Sequence, residues 1–76
     1  MLKGRLGYNQ ENGRYGILSM DLWENKGLHC GETFEVKIKG EWVTDRIEMN
    51  NNNEWYLVSS KLKGDDLEYL QVRYLS

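Results

Sequence analysis

The sequence predicts an all-β fold: a small, strongly bent antiparallel barrel of five to six strands with an N-terminal hairpin. Three observations carry this. Strand-like runs recur at short spacing and are separated by Gly and Asn, in a chain with eight glycines and no proline. Phe34, Val36 and Ile38 alternate with Glu35, Lys37 and Lys39, the period-2 pattern of a strand with one buried face. No segment sustains a 3.6-residue period, so little or no α-helix is expected.

In chain order, Lys3–Tyr8 and Arg14–Met20 read as strands joined at Asn12-Gly13, because both turn residues tolerate positive φ. Gly4, Gly7, Gly13 and Gly16 mark this hairpin as kinked, a place where the sheet bends or another backbone comes close. Leu18–Trp23 (LSMDLW) reads as a loop that either lids the core or exposes an apolar patch. After the Asn25–Gly31 connection come Thr33–Lys39, a turn at Lys39-Gly40 with Glu41 at its edge, and Glu41–Met49. In this last run Val43 and Ile47 are assigned inward and Trp42 to the opposite face or an edge, an assignment that a bulge would alter. The four-asparagine run Asn50–Asn53 then turns the chain into Glu54–Ser59. Trp55 and Leu57 alternate there with Tyr56 and Val58, so the strand is apolar on both faces and is expected to be central. Past the Lys61–Asp66 loop, residues Asp65 to Tyr69 have room for one helical turn capped by Asp65 or Asp66. Leu70–Leu75 closes the chain as a half-exposed strand.

Seventy-six residues make a single domain, 1–76, whose core is thin enough that every large apolar side chain is needed inside. A partner or self-association is expected support at this size. The one cysteine, Cys30, forms no disulfide within the chain and suits a reducing, cytoplasmic setting. The N-terminus has no signal-type apolar run, and no apolar run approaches the roughly 20 residues that span a bilayer. Three Trp, five Tyr and one Phe are too many aromatics for a disordered chain. The net charge of −2 divides as +1 over residues 1–31 (four basic, three acidic) and −3 over residues 32–76 (six basic, nine acidic). That is the wrong sign for a protein held to phosphates by clustered Lys and Arg, which disfavours nucleic acid as a partner.

His29-Cys30 are the chain's only histidine and cysteine and the first candidates for chemistry. A cysteine nucleophile needs a base within hydrogen-bond reach, but adjacent residues of an extended chain point to opposite faces. No further His or Cys exists to complete a zinc site. Cys30 is therefore expected as a small buried apolar residue, with His29 capping or packing the loop. The carboxylates Glu32, Glu35, Glu41, Asp45, Glu48 and Glu54 are assigned to outward or turn positions, paired with Lys37, Lys39 and Arg46 on a solvated face. The glycines fit no phosphate-binding loop.

Aromatic side chains carry more. Trp55, Phe34 and Tyr74 are assigned to the core, while Trp42, Trp23, Tyr15 and Tyr56 either complete the thin core or form a partner-binding surface. The expected function is therefore a non-enzymatic binding module without cofactor or metal. Its partner is expected to be a protein or a second copy of itself. The alternative is a nucleic-acid-associated accessory domain using Arg5, Arg14, Arg46 and Lys61.

Two resemblances accompany this reading. The run from Gly31-Glu32-Thr33-Phe34-Glu35-Val36 through Gly40-Glu41-Trp42-Val43 to Trp55-Tyr56-Leu57-Val58 is loosely similar to SH3-like barrels of the Tudor kind. Gly13-Arg14-Tyr15, Leu28–Glu32, Gly40–Val43, Arg46–Glu48, Trp55–Val58 and Leu70–Arg73 together resemble a small uncharacterised domain family of Gram-positive bacteria. That second resemblance spans roughly residues 13–73 and implies no activity. It implies an association with mobile elements or phage-derived regions.

Overall fold

The computed structural model describes residues 2–74, and of Leu2 only the backbone. Leu75, assigned to the last strand from sequence, lies outside the described residues.

Seven strands occur among them: β1 (Leu2–Asn9), β2 (Arg14–Ser19), β3 (Leu22–Asn25), β4 (Thr33–Ile38), β5 (Glu41–Met49), β6 (Trp55–Leu57) and β7 (Gln71–Tyr74). A short 3-10 turn, η1 (Gly64–Leu67), precedes β7. The strands form one antiparallel sheet in the order β3-β2-β1-β7-β4-β5-β6. It is not closed into a barrel: β3 and β6 are its two edges. The extra strand over the five or six expected is β3, the half of LSMDLW that was assigned to a loop. Met20 and Asp21 both take positive φ (51° and 64°) and fold that stretch into a tight hairpin, with Ser19 opposite Leu22.

Cross-strand pairs assign the faces. Leu6 with Ile17, Gly4 with Val72, Val72 with Val36, Val36 with Val43 and Ile47 with Leu57 all lie on one side. Leu6, Ile17, Val36, Ile47, Leu57 and Val72, with Tyr15, Phe34, Trp55, Leu28 and Leu67, make up one buried cluster, and partly buried Val43 packs against it. Residues far apart in the ladder meet there, so the sheet rolls around its inner face. The indole N–H of Trp55 in edge strand β6 donates to the Gly13 carbonyl at 2.9 Å, and the Tyr15 hydroxyl donates to the Gly64 carbonyl at 3.2 Å. Leu28 donates its N–H to the Tyr15 carbonyl, and Gly31 donates to the Ile47 carbonyl, so residues 28–31 strap β2 to β5.

The turns follow local chemistry. Lys39 and Gly40 (φ 51° and 85°) make the predicted two-residue turn, and Glu41 is the first residue of β5. The first hairpin instead has a longer loop. The Asn9 carbonyl accepts from both Asn12 and Gly13, the Asn9 side chain accepts from the Glu11 N–H, and Gly13 alone has positive φ. In the asparagine run, Asn50 Oδ1 accepts from the N–H groups of Asn52 and Glu54.

Several assignments change. β6, expected to be central, is an edge strand of three residues, and Tyr56 on its outer side is only half-buried. β7, expected to be an ordinary last strand, lies in the middle between β1 and β4, with Val72 fully buried. η1 is capped at Lys63 without a side-chain bond, so neither Asp65 nor Asp66 is the cap. The register irregularity falls between Ile17 and Leu18, while β5 pairs with β4 without interruption.

Asp45 was assigned to a solvated face and is 2% exposed. It shares the inward parity of Val43 and Ile47, and its carboxylate is satisfied by backbone. Oδ1 accepts from Arg46 (2.8 Å) and Ser59 (2.7 Å), and Oδ2 accepts from Ser60 (2.9 Å). Cys30, assigned as buried, is an exposed free thiol in a turn. Gly31 there has φ 90°, and the His29 N–H donates to the Glu32 carboxylate.

Candidate functional site

The register that buries one face also fixes what the other presents. Leu18 pairs with Trp23 and with Arg5, Arg5 pairs with Gln71, and Lys37 pairs with Trp42. Extending the β4–β7 pairing by one residue places Lys37 beside Gln71. One outward row therefore crosses six strands: Trp23, Leu18, Arg5, Gln71, Lys37, Trp42. The neighbouring outward row runs Lys3, Arg73, Glu35, Thr44.

Charge is segregated onto this outer face. On β1, β7, β4 and β5 the outward charges are Lys3, Arg5, Arg73, Lys37 and Arg46 against Glu35 and Glu48, five positive and two negative, or +3. The whole chain is −2. Both carboxylates are already paired, Glu35 with Arg73 at 2.7 Å and Glu48 with Arg46 at 3.0 Å. Lys3, Arg5 and Lys37 make no ion pair among the described residues. The Arg5 guanidinium donates to the Tyr69 carbonyl at 3.0 Å, which positions its charge without neutralising it.

Trp42 sits within this field. The Arg73 guanidinium lies 4.2 Å from its ring centroid and the Lys37 ammonium 5.8 Å, cation–π geometry that orients the indole along the surface. Between Trp42 and Lys37 on one side and Leu18 and Met20 on the other runs an open groove of about 450 Å³, with Lys3 and Arg5 along it. Its floor is where β1 and β7 pass at Gly4 and Val72, and no carboxylate of the described residues lines it. Met20 at its rim is 93% exposed, and Leu22 on the same hairpin is 70% exposed.

The four aromatics named from sequence have different fates. Trp42 lines the groove. Trp23 is on the same face but fills a shelf left by the paired glycines Gly7 and Gly16: a methyl group on Gly16 would lie 2.8 Å from Trp23 Cζ3 and overlap the Asn25 carbonyl oxygen. Tyr56 borders a separate hollow of about 400 Å³ with Lys61 and Lys63. Tyr15 is in the core, edge-on to Tyr8 with ring centroids 5.4 Å apart. Burial, and next the charge of Glu68, push its hydroxyl from 10.0 up to about 12. Of the basic residues in the nucleic-acid alternative, Arg5 lines the groove, whereas Arg14 donates to the Leu28 carbonyl and Arg46 is paired with Glu48. In the sequence Met20 stands out only within the LSMDLW apolar stretch and Lys37 only as a partner for carboxylates, while Lys3 is not singled out. Only the cross-strand register brings them beside Trp42.

A family model described as "Domain of unknown function (DUF5348)" matches residues 4–74. The chain belongs to this family. The DUF5348 domain is also similar to a protein from Ruminococcus gnavus of known crystal structure: 44% identity, 96% of this chain and 100% of that chain covered, TM-score 0.76. A comparison with curated proteins finds no match. The expectation of an uncharacterised domain family is met, and neither description names an activity. No helix of the DUF5348 domain, among the described residues, is long and apolar enough to cross a membrane.

Proposed function

We propose that this DUF5348 domain is a non-enzymatic binding module that meets a partner protein through the outer face of its sheet. The observation that carries the reading is the groove beside Trp42. It joins an oriented indole and the apolar rim of Leu18 and Met20 to three cations that have no carboxylate partner among the described residues. A half-exposed Trp beside a groove, ringed by polar groups, is the usual composition of an interface anchor. The floor strands β1 and β7 are both internal to the ladder, so a partner is held by side chains and not by added-strand pairing.

The test is capture from a cell extract with three immobilised proteins: the native chain, a Trp42→Ala/Lys37→Glu variant, and an Asn51→Ala control on a remote exposed turn. The expected result is a set of proteins held by the native chain and the control and lost with the groove variant. Equal capture by all three, or capture that vanishes on nuclease treatment, would reject the reading. A native chain that sediments as a dimer, with the groove variant monomeric, would identify the partner as a second copy.

A further inference from the structure

Resting on that reading, we infer that the Trp42 groove takes an acidic segment of a partner protein, one that carries carboxylates around a single apolar side chain. Charge complementarity is the first ground. Lys3, Arg5 and Lys37 line a groove that holds no carboxylate among the described residues, in a chain whose net charge is −2. Glu35 and Glu48 on this face are held by Arg73 and Arg46, and among the described residues those three cations have no carboxylate partner. The second ground is the wall opposite Trp42. Leu18 and Met20 offer apolar contact beside Arg5, across the cations from Trp42, which suits an aliphatic or aromatic anchor next to carboxylates.

The same features argue against a nucleic acid. Three phosphate contacts on a single strand give a salt slope of only about 2, against the six to ten contacts typical of tight binders. Elsewhere the surface turns acidic, with exposed Glu41, Glu54, Asp65 and Asp66, and a long polyanion leaving the groove is repelled. The exposed Met20 and Leu22 have no use on a phosphodiester chain but add contact area to a protein.

The experiment is fluorescence anisotropy with three labelled probes: a Glu-rich peptide with one central Leu, the same peptide with Gln in place of every Glu, and an oligothymidylate. Each is titrated with the native chain and with a Lys3→Gln/Lys37→Gln variant. Both substituted side chains are exposed and unpaired among the described residues, and unchanged thermal melting shows that the variant folds. The Glu-rich peptide is expected to bind, the Gln peptide to bind about tenfold more weakly, and the double variant to lose about fivefold or more, since each exposed pair is worth up to about fivefold. Part of the affinity is expected to persist at high salt through the Leu anchor. Equal binding of the Glu and Gln peptides, absence of binding by the Glu-rich peptide, or tighter binding of the oligothymidylate would overturn the inference. If the capture experiment still depends on Trp42 while the Glu-rich peptide fails, the acidic-segment inference falls and the binding reading stands. Capture indifferent to Trp42 removes both.

Discussion

The indole N–H of Trp55 donates to the carbonyl oxygen of Gly13 at 2.9 Å, tying edge strand β6 to the turn of the first hairpin, 42 residues away. This bond helps to keep the sheet rolled around its core without closing it. Trp55→Phe keeps most of the apolar contact and removes the donor, and it is expected to cost about 1–2 kcal/mol in urea unfolding. Trp55→Ala is expected to cost about 3–5 kcal/mol through the cavity it leaves. A Phe variant as stable as the native chain would show that packing alone holds β6 to the hairpin.

Asp45 holds the turn after β6 by accepting three backbone N–H groups from within the protein. Asp45→Ala strands the donors of Arg46, Ser59 and Ser60 and is expected to cost about 3 kcal/mol or more. Asp45→Asn retains an acceptor oxygen and is expected to cost roughly half as much. Amide exchange reads the effect directly: the Ser59 and Ser60 amides are expected to lose protection in the Ala variant. Unchanged protection at those two amides would mean that the carboxylate does not organise the turn.

Asp45 also shows what was and was not legible in the sequence. Alternation placed it in register with Val43 and Ile47, which implied burial. It was assigned outward because its residue type argues for water, and the donors that reverse this come from a turn 14 residues later. Local chemistry located the turns at Lys39-Gly40 and Asn50–Asn53, because their determinants are adjacent residues. β7 and β6 exchanged their expected places because strand order depends on pairings across most of the chain, which period-2 alternation does not encode. The basic groove was hidden for a related reason. Net charge averages over the whole surface, whereas Lys3, Arg5 and Lys37 come together only when β7 inserts between β1 and β4.

Gly16 faces Gly7 across the β1–β2 pair, and Trp23 lies over Gly16. Gly16→Ala puts a methyl group into the indole and against the Asn25 carbonyl, and it is expected to destabilise by about 1–3 kcal/mol. The displaced indole gains contact with water, so the tryptophan emission of the folded variant is expected to shift to the red. A variant with native stability and emission would show that β3 adjusts freely over the shelf.

Tyr15 links the core to pH. Its hydroxyl is raised from 10.0 to about 12 by burial first and then by the charge of Glu68, with Asp65 and Tyr8 adding to it. The folded state therefore holds this proton more tightly than the unfolded chain. The corresponding stability is fully present below pH 10 and is lost as the pH rises through about 12. Urea unfolding of the native chain is expected to weaken over that window more steeply than unfolding of Tyr15→Phe. Parallel pH profiles for the two proteins would contradict the assignment.

Cys30 decides how the His29-Cys30 pair is to be understood. The thiol is exposed in a turn, while the neighbouring His29 N–H and the Glu32 carboxylate are bonded to each other. Cysteine catalysis depends on an activated thiol and a base oriented toward the sulfur, and labelling kinetics read both. In the native protein Cys30 is expected to react with a thiol reagent completely, and at the rate of a small-molecule thiol at the same pH. Cys30→Ser is expected to change stability by no more than about 0.5 kcal/mol, the usual range for a surface position. Labelling ten or more times faster than the free thiol would indicate an activated sulfur and reopen an enzymatic role for the turn. Labelling that waits for unfolding would mean that residues 28–31 lie closed over the thiol in solution.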